Sequence, residues 1–435
     1  MQVTQPEALQ KTSIFPVLLV SGIDALGFSI VLPFLVYVVH DFGGNAVMYG
    51  ALAATYPAFQ LVAAPVLGRW SDTMGRRPVM LISEIGTVLG WALFAVAMLL
   101  PITKLASVSG GVLGRFTLTL PLAVLFLARA SEGLTGGNES VANAYVADVT
   151  PEDDRSAAFG KMGVAASLGF VIGPAVAGLL GKSYLLAVLG ALGLSIAATV
   201  IIARNLPESL PRAIRRLPNR DQPAMVFGRE PRPCVKLEGA RPRWRDALRV
   251  PHVPWLLLVY FIAYLGFTLF QAAFPAHAAI TLHWTVRQTG VLFTVLSGTL
   301  ALVQGQLTGR LVKKLGNTAV IVSGNVALSV GLVLFASSHT VLVYVAAVLY
   351  ATGTGLMWPP LLAVIANVAG RDHQGAVQGL AGSAGGAASM LGLLLGGILY
   401  ESVGSTTFFV ASATILVCAI MSLRIAKLGN AHATV

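Results

Sequence analysis

The sequence has 435 residues, of which 56% are hydrophobic and 11% charged, with 46 glycines and a mean hydropathy of +0.78. That composition excludes a soluble multidomain protein and describes a polytopic membrane protein whose glycines let helix backbones approach closely. A net charge of +11 would suit a nucleic-acid binder until the charges are placed along the chain.

With the amino terminus inside, apolar runs read as spans at about 14–39, 47–67, 79–100, 121–141, 157–180 and 184–203. They resume at about 253–275, 288–308, 318–337, 340–363, 375–399 and 405–425. Each is long enough to cross a bilayer. The expected fold is an all-α membrane protein of twelve transmembrane helices in two pseudo-symmetric six-helix bundles, residues 1–203 and 253–435. Residues 204–252 join them, and both termini are expected in the cytoplasm. The first run is too long for a signal-peptide core and carries Asp24 inside it.

Lys104, Arg115, Lys182 and Arg287 fall outside and Arg129 falls within a span, while the other 24 of the 29 Lys and Arg lie on the cytoplasmic side. The basicity is therefore a topology signal that also touches anionic lipid, and no nucleic-acid partner is expected. The external stretch 101–120 is Gly/Ser-rich, and its role is not readable. The linker 204–252 holds eight prolines and twelve Lys or Arg against five acids, a flexible basic tether. Cys234 and Cys418 are poorly placed to pair, and neither a cofactor nor a metal site is expected. The chain is expected to act as a monomer.

Between the second and third runs lies Gly68 to Pro78, GRWSDTMGRRP, with Arg69, Asp72, Arg76 and Arg77 charged. Gly68 and Gly75 are expected to turn the backbone between antiparallel helices, with Pro78 in the next helix's first turn. Asp72 can cap that helix or pair with an arginine. A shift of 241 residues lays Gly309, Arg310, Gly316 and Val320 on Gly68, Arg69, Gly75 and Val79. A second offset, 219, matches Gly160, Gly173 and Gly178 to Gly379, Gly392 and Gly397. Such repeats mean two copies of one bundle.

An ionisable side chain within a span costs about 2.5–3.5 kcal/mol on insertion scales and asks for a reason. Asp24 lies near the midplane. Arg129, Glu132 and Glu139 share the fourth run at spacings that place them on one helix face. They read as a proton-coupling set, or else Arg129 and Glu132 form a static pair and Asp24 a structural carboxylate. Glu84, about six residues from the loop, reads as a snorkelling or capping acid. From Pro251 onward the only acids are Asp372 and Glu401, both at span ends, so a proton carrier must lie in the first bundle. Buried carboxylates can titrate near neutral pH. In the second bundle Gln271, Gln304, Asn367 and Trp358 offer neutral hydrogen bonds and an aromatic wall, suited to amphiphilic small molecules. The fifth run, Gly169 to Gly181, carries a close-packing stripe of small residues with Pro174 inside it.

The loop at 68–78 closely resembles the G-x-x-x-D-x-x-G-R-R/K signature of the major facilitator superfamily. Arg129 with Gly133 resembles that superfamily's fourth-span signature. Gly169-xxx-Gly173-Pro174-xxx-Gly178 resembles the signature associated with antiporters. RASEGLTGGNESVANAYVADVTPEDDRSAAFG and RDHQGAVQG (371–379) are similar to the drug:proton antiporters of the tetracycline-resistance efflux type. The resemblance implies alternating-access export of drugs or metabolites in exchange for protons, in a bacterial inner membrane. It also implies a cytoplasmic network of Asp72, Arg76, Arg77 and Asp148 that holds that side closed while the cavity faces outward. Where the tetracycline exporters carry functional ionisable residues in the third, eighth and ninth spans, this chain has Gly90, Leu300 and Leu328. Rival readings are a proton symporter or facilitator for a nutrient, a transport-dead sensor, and a membrane-embedded enzyme, whose clustered catalytic groups the scattered histidines do not supply.

Overall fold

The computed structural model describes residues 13–136, 138–151, 154–181, 183–209 and 244–425. Most of the linker, including Cys234, lies outside the described residues.

Eight helical stretches among the described residues are long and apolar enough to cross a membrane. Two of them, Val286–Phe335 and Ala376–Ile425, are 50 residues long and hold two spans each. A bent first span and a broken fourth complete the twelve. Span 1 is Phe15–Val31 with Leu35–Asp41, bent by 43° at Pro33, which has no N–H to continue the helix. Span 2 is Ala46–Met74 and span 3 Arg76–Leu99. Span 4 is Leu120–Thr135 with Asn138–Val149. Spans 5 and 6 are Arg155–Leu180 and Tyr184–Asn205. Span 7, Val253–Ala276, ends in a π turn, His277–Thr281. Span 8, Val286–Leu302, runs on through a π turn at Val303–Thr308. Span 9 follows a break at Gly316, and spans 10 and 11 share the helix Thr340–Val403, broken at Gly370. Span 12 is Thr407–Ser422.

The turns are tighter than the hydropathy boundaries suggest. Spans 2 and 3 are separated by one non-helical residue, Gly75 (φ 107°, ψ 161°), and Gly68 stays helical. The eleven-residue loop therefore reduces to a single left-handed position that favours glycine. The repeat partner Gly316 does the same (φ 81°, ψ 162°). Outside the helices, Lys104–Ser109 pairs antiparallel with Arg115–Thr119, giving the stretch 101–120 a form that its composition hides. The end of the molecule bearing this hairpin is the hairpin face, and the end bearing Gly75 is the basic face.

In each half the helices pack through the same close approaches. Span 1 lies on span 5, where Ser29 Oγ donates to Gly169 O at 3.0 Å. Span 7 lies on span 11, where Thr268 Oγ1 donates to Ala388 O at 3.3 Å, 219 residues on from Gly169. Each hydroxyl fills the space where a Cβ at Gly173 or Gly392 would stand. Between the halves, span 2 meets span 11 and span 5 meets span 8. Gly50 faces Gly397, and Gly178 faces Gly290. Tyr37 Oη reaches across to donate to Trp284 O at 2.8 Å. All of these residues lie in the span halves nearest the hairpin face. The hairpin turn adds to the closure: Asn45 Nδ2 donates to Leu113 O at 2.9 Å, and Glu401, beside Gly114, accepts from Ala46 N at 3.2 Å. Large apolar side chains such as Leu99, Leu179 and Val341 are more than two-thirds exposed, as a lipid-facing surface requires.

A Cβ at residue 397 would lie 2.5 Å from Ala46 O, and one at residue 290 would lie 2.7 Å from Gly178 Cα. Gly397→Val should therefore disfavour closure at the hairpin face by about 1–3 kcal/mol. Spin-label distances between the hairpin-face ends of spans 2 and 11 should lengthen; unchanged distances would remove the seam from its assigned place.

Candidate functional site

At the basic face the Arg76 guanidinium is buried among acceptors from two spans. Its Nη1 donates to Asp72 Oδ1 at 2.8 Å and Ser71 Oγ at 2.7 Å, and its Nε to Asp148 Oδ2 at 2.9 Å. Asp72 sits in the last turn of span 2 and pairs with Arg76. The cap on span 3 comes instead from Glu208, whose carboxylate accepts from Arg76 N at 2.8 Å and Arg77 N at 3.3 Å. An acid at a helix start satisfies orphan N–H groups and the helix dipole together. Ser209 Oγ adds a bond to Asp148 at 3.1 Å, and Arg77 donates to Ala203 O. The first linker residues are thus stitched into the network. These partners belong to the first bundle and the start of the linker, and their bonds are formed while the molecule is closed at the hairpin face.

Arg129 and Glu132 form a contact ion pair of 2.6 Å, with side chains 5% and 6% exposed. The guanidinium lies 5.6 Å from the Trp91 ring and 5.4 Å from the Phe94 ring of span 3, a cation–π setting. Arg129 Nε and Glu132 Oε1 have no hydrogen-bond partner among the described residues.

The fourth span is not one continuous helix: it stops at Thr135 and restarts at Asn138. Two side chains take the carbonyls at the break: Ser83 Oγ donates to Thr135 O, and Gln60 Nε2 donates to Gly136 O at 2.7 Å. Glu139 opens the second helix, and its side chain lies outside the described part of the structure. The break delivers Asn138 to the interior. Its amide donates to Asp24 Oδ2 at 2.6 Å and to Glu84 Oε1 at 2.5 Å. Glu84 is 1% exposed, so the snorkelling reading is wrong. Eight residues of helix set it about 12 Å from the basic end of span 3, beyond reach of that surface. Asp24 lies about 14 Å along span 1, at matching depth. The Gly136-Gly137 pair was the available signal for this break.

In span 5, Gly169 and Gly173 pack against span 1 while the Pro174 carbonyl and Gly178 pack against Gly290 of span 8, so one stripe serves both bundles. In the second bundle Trp358 stands 5.3, 4.8 and 6.1 Å from the rings of Tyr260, Tyr264 and Phe267. Gln304 lies in the π turn of span 8. Gln271 is seven residues from Tyr264, toward the hairpin face, and the exposed Asn367 is nine beyond Trp358, about 14 Å toward the basic face. The four residues do not converge on one point.

Two six-helix bundles, joined at one face by paired glycine contacts and carrying carboxyl groups inside one bundle only, define a twelve-span membrane protein of two related halves. The chain belongs to the Major Facilitator Superfamily, whose profile matches residues 17–260 and 256–431. It is similar to the class C tetracycline resistance protein of Escherichia coli, with 29% identity over 91% of this chain and 92% of that one. The class G protein of Vibrio anguillarum is 30% identical over 90% and 91%. Multidrug resistance protein 2 of Bacillus subtilis is 26% identical over 90% of each chain. Among solved structures, the human organic anion transporter MFSD10 superposes with a TM-score of 0.68 at 22% identity, over 96% of this chain and 100% of that one. The D-xylose-proton symporter gives 0.71 at 12%, over 94% and 96%; both show the fold. Gly90, matched to an ionisable position of the tetracycline exporters, leaves space that Glu132 fills, since a Cβ there would lie 2.3 Å from Glu132 Cγ.

Removing one partner of a buried ion pair leaves an uncompensated charge and costs about 3–5 kcal/mol, whereas replacing both by apolar residues is often neutral. Glu132→Leu should therefore lower thermal stability in detergent, and Arg129→Met combined with Glu132→Leu should restore most of it. Additive losses would mean that the two groups do not act as a pair.

Proposed function

We propose that this protein is a proton-coupled antiporter exporting amphiphilic compounds by alternating access. The observation that carries this reading is the division of labour between the bundles. Carboxyl groups within the membrane are confined to the first, while Trp358 and its neighbouring rings give the second a neutral aromatic wall. An amphiphile with an aromatic part and a cationic or hydrogen-bonding group fits both. The resistance proteins named above share about nine-tenths of the chain, which supports drugs or metabolites as cargo. Tetracycline itself is a weaker candidate, because Leu300 and Leu328 leave two of the exporters' ionisable positions apolar.

In this reading Asp24, Arg129, Glu132 and Glu139 form the coupling region, and Gly68, Asp72, Gly75, Arg76, Arg77 and Asp148 the cytoplasmic gate. Gly169, Gly173, Pro174 and Gly178 form the packing stripe on which the bundles rock, and Trp358 with Gln304 meets the substrate. The basic face is cytoplasmic, because the Lys and Arg excess lies there, and the protein works as a monomer in a bacterial inner membrane beside anionic lipid. A pH gradient, acidic outside, should accelerate export of ethidium or tetracycline from proteoliposomes. Asp72→Asn should cut that rate sharply with expression intact. A gradient that drives uptake instead would favour a symporter.

The orientation is tested separately. Cys234 in the linker should resist a membrane-impermeant thiol reagent in intact cells and react once they are permeabilised. Labelling from outside would invert the topology.

A further inference from the structure

Spans 2 and 11 come from different bundles, and their hairpin-face ends are joined by more than the contact of Gly50 with Gly397. Ala46 is the first helical residue of span 2, so its N–H has no acceptor within its own helix. The N-cap side chain, Asn45, serves Met48 N at 3.1 Å instead. Ala46 N donates to Glu401 Oε2, 3.2 Å away, in the last turn of span 11. A carboxylate there answers both the orphan N–H and the positive end of the helix dipole. Among the described residues no lysine or arginine forms an ion pair with Glu401. A helix of one bundle is thus capped by a side chain of the other.

Each side of this contact is held firmly by its own bundle. Tyr400, beside Glu401 and buried, hydrogen-bonds through its hydroxyl to His277 Nδ1 at 3.1 Å and Thr281 Oγ1 at 2.7 Å. Both partners lie in the π turn that ends span 7. The hairpin is fastened to the first bundle: Thr117 N donates to Gly43 O at 2.9 Å, and Thr119 Oγ1 donates to Phe42 O at 2.8 Å. Asn45 Nδ2 holds the turn itself through Leu113 O at 2.9 Å. That turn lies against Glu401. A Cβ at residue 114 would stand 2.4 Å from Glu401 Oε1, and a φ of 68° there favours glycine as well. One carboxylate oxygen therefore meets the start of span 2 and the other meets the hairpin turn.

We propose that Glu401 and the hairpin 104–119 form a latch that holds the hairpin face closed. The second bundle supplies the carboxylate, and the first supplies the helix start that it caps and the strap that lies against it. Opening this face parts span 2 from span 11, which takes the carboxylate away from Ala46 N and from Gly114. The latch is therefore a contact present at one end of the cycle and absent at the other. An interaction made in only one of two states shifts the balance between them by its own free energy. Glu401 thus sets the share of molecules closed at this face, and the hairpin is a positioning element that travels with the first bundle. The latch rests on the alternating-access part of the reading above and not on the direction of proton flow.

The test is pulsed electron paramagnetic resonance on the full-length chain in lipid nanodiscs, with Cys234→Ser and Cys418→Ser as background. Ser183→Cys before span 6 and His339→Cys before span 10 put labels at exposed positions, one on each bundle, at the hairpin face. Ser107→Cys puts a third on the hairpin. Glu401→Gln should raise the long-distance fraction between positions 183 and 339 about two- to fivefold, the range of a carboxylate's effect at a helix start. Glu401→Ala should raise it at least as far. The distance from 107 to 339 should lengthen with it, while that from 107 to 183 stays as in the wild type. Unchanged 183–339 distributions in both Glu401→Gln and Glu401→Ala overturn the latch. A changed distance from 107 to 183 frees the hairpin from the first bundle and overturns its part as the strap. If the distances behave as expected while a pH gradient leaves ethidium and tetracycline export unchanged, the antiport reading fails and the latch stands.

Discussion

Hydrocarbon offers no partner to a stray hydrogen-bonding group, so every departure from helix inside the membrane must be answered from within the protein. Most breaks in this chain avoid the problem by falling at Gly75, Gly316 and Gly370, at the basic face. The break in span 4 does not. It falls between Thr135 and Asn138, roughly midway, and two side chains, Ser83 and Gln60, have to be spent on its carbonyls. What the molecule gains is an asparagine aimed sideways into the bundle at two acids from two other spans. A continuous helix would carry residue 138 elsewhere, and Asp24 and Glu84 would face each other with nothing between them.

The two polar centres of the first bundle have different characters. Arg129 and Glu132 cancel each other behind Trp91 and Phe94, in a space left by Gly90. That is electrostatic closure: neither partner can leave without stranding the other. Asp24 and Glu84 carry the same sign of charge when ionised, and the Asn138 amide stands between them. At the basic face, Arg76 binds two carboxylates at once, while Glu208 ties the start of the linker to span 3. The linker is therefore anchored at its amino-terminal end on the network that sits beside the turn at Gly75.

The architecture was legible in the sequence because two of its signals are strong: apolar length sets the spans, and glycine offsets of 241 and 219 reveal the repeat. The offsets reappear as physical contacts, Ser29 on Gly169 and Thr268 on Ala388. The site was less legible. Asp24 stood out because an acid deep in an apolar run has few excuses. Glu84 was misjudged by counting residues from a loop, when the helix begins at Arg76 and buries the acid two turns in. The break between Thr135 and Asn138 interrupts the fourth span where apolar length gives no sign of it. Glu208 and Ser209 look like ordinary linker residues, and only three-dimensional proximity shows what they hold. The hairpin at 104–119 is short and its turn is glycine-rich, so the alternation of Arg115, Phe116, Thr117, Leu118 and Thr119 is easily passed over as loop.

The seams between the bundles have a consequence for speed. Gly50 against Gly397 and Gly178 against Gly290 are contacts of backbone on backbone. Most interfaces immobilise side chains when they form, at about 0.5–1.5 kcal/mol for each rotamer-rich group, and must find those rotamers again each time they close. Glycine has no rotamers to lose. A seam of this kind can part and rejoin with little side-chain entropic toll in either direction. Polar links such as Tyr37 to Trp284 add direction to a contact that is otherwise backbone on backbone.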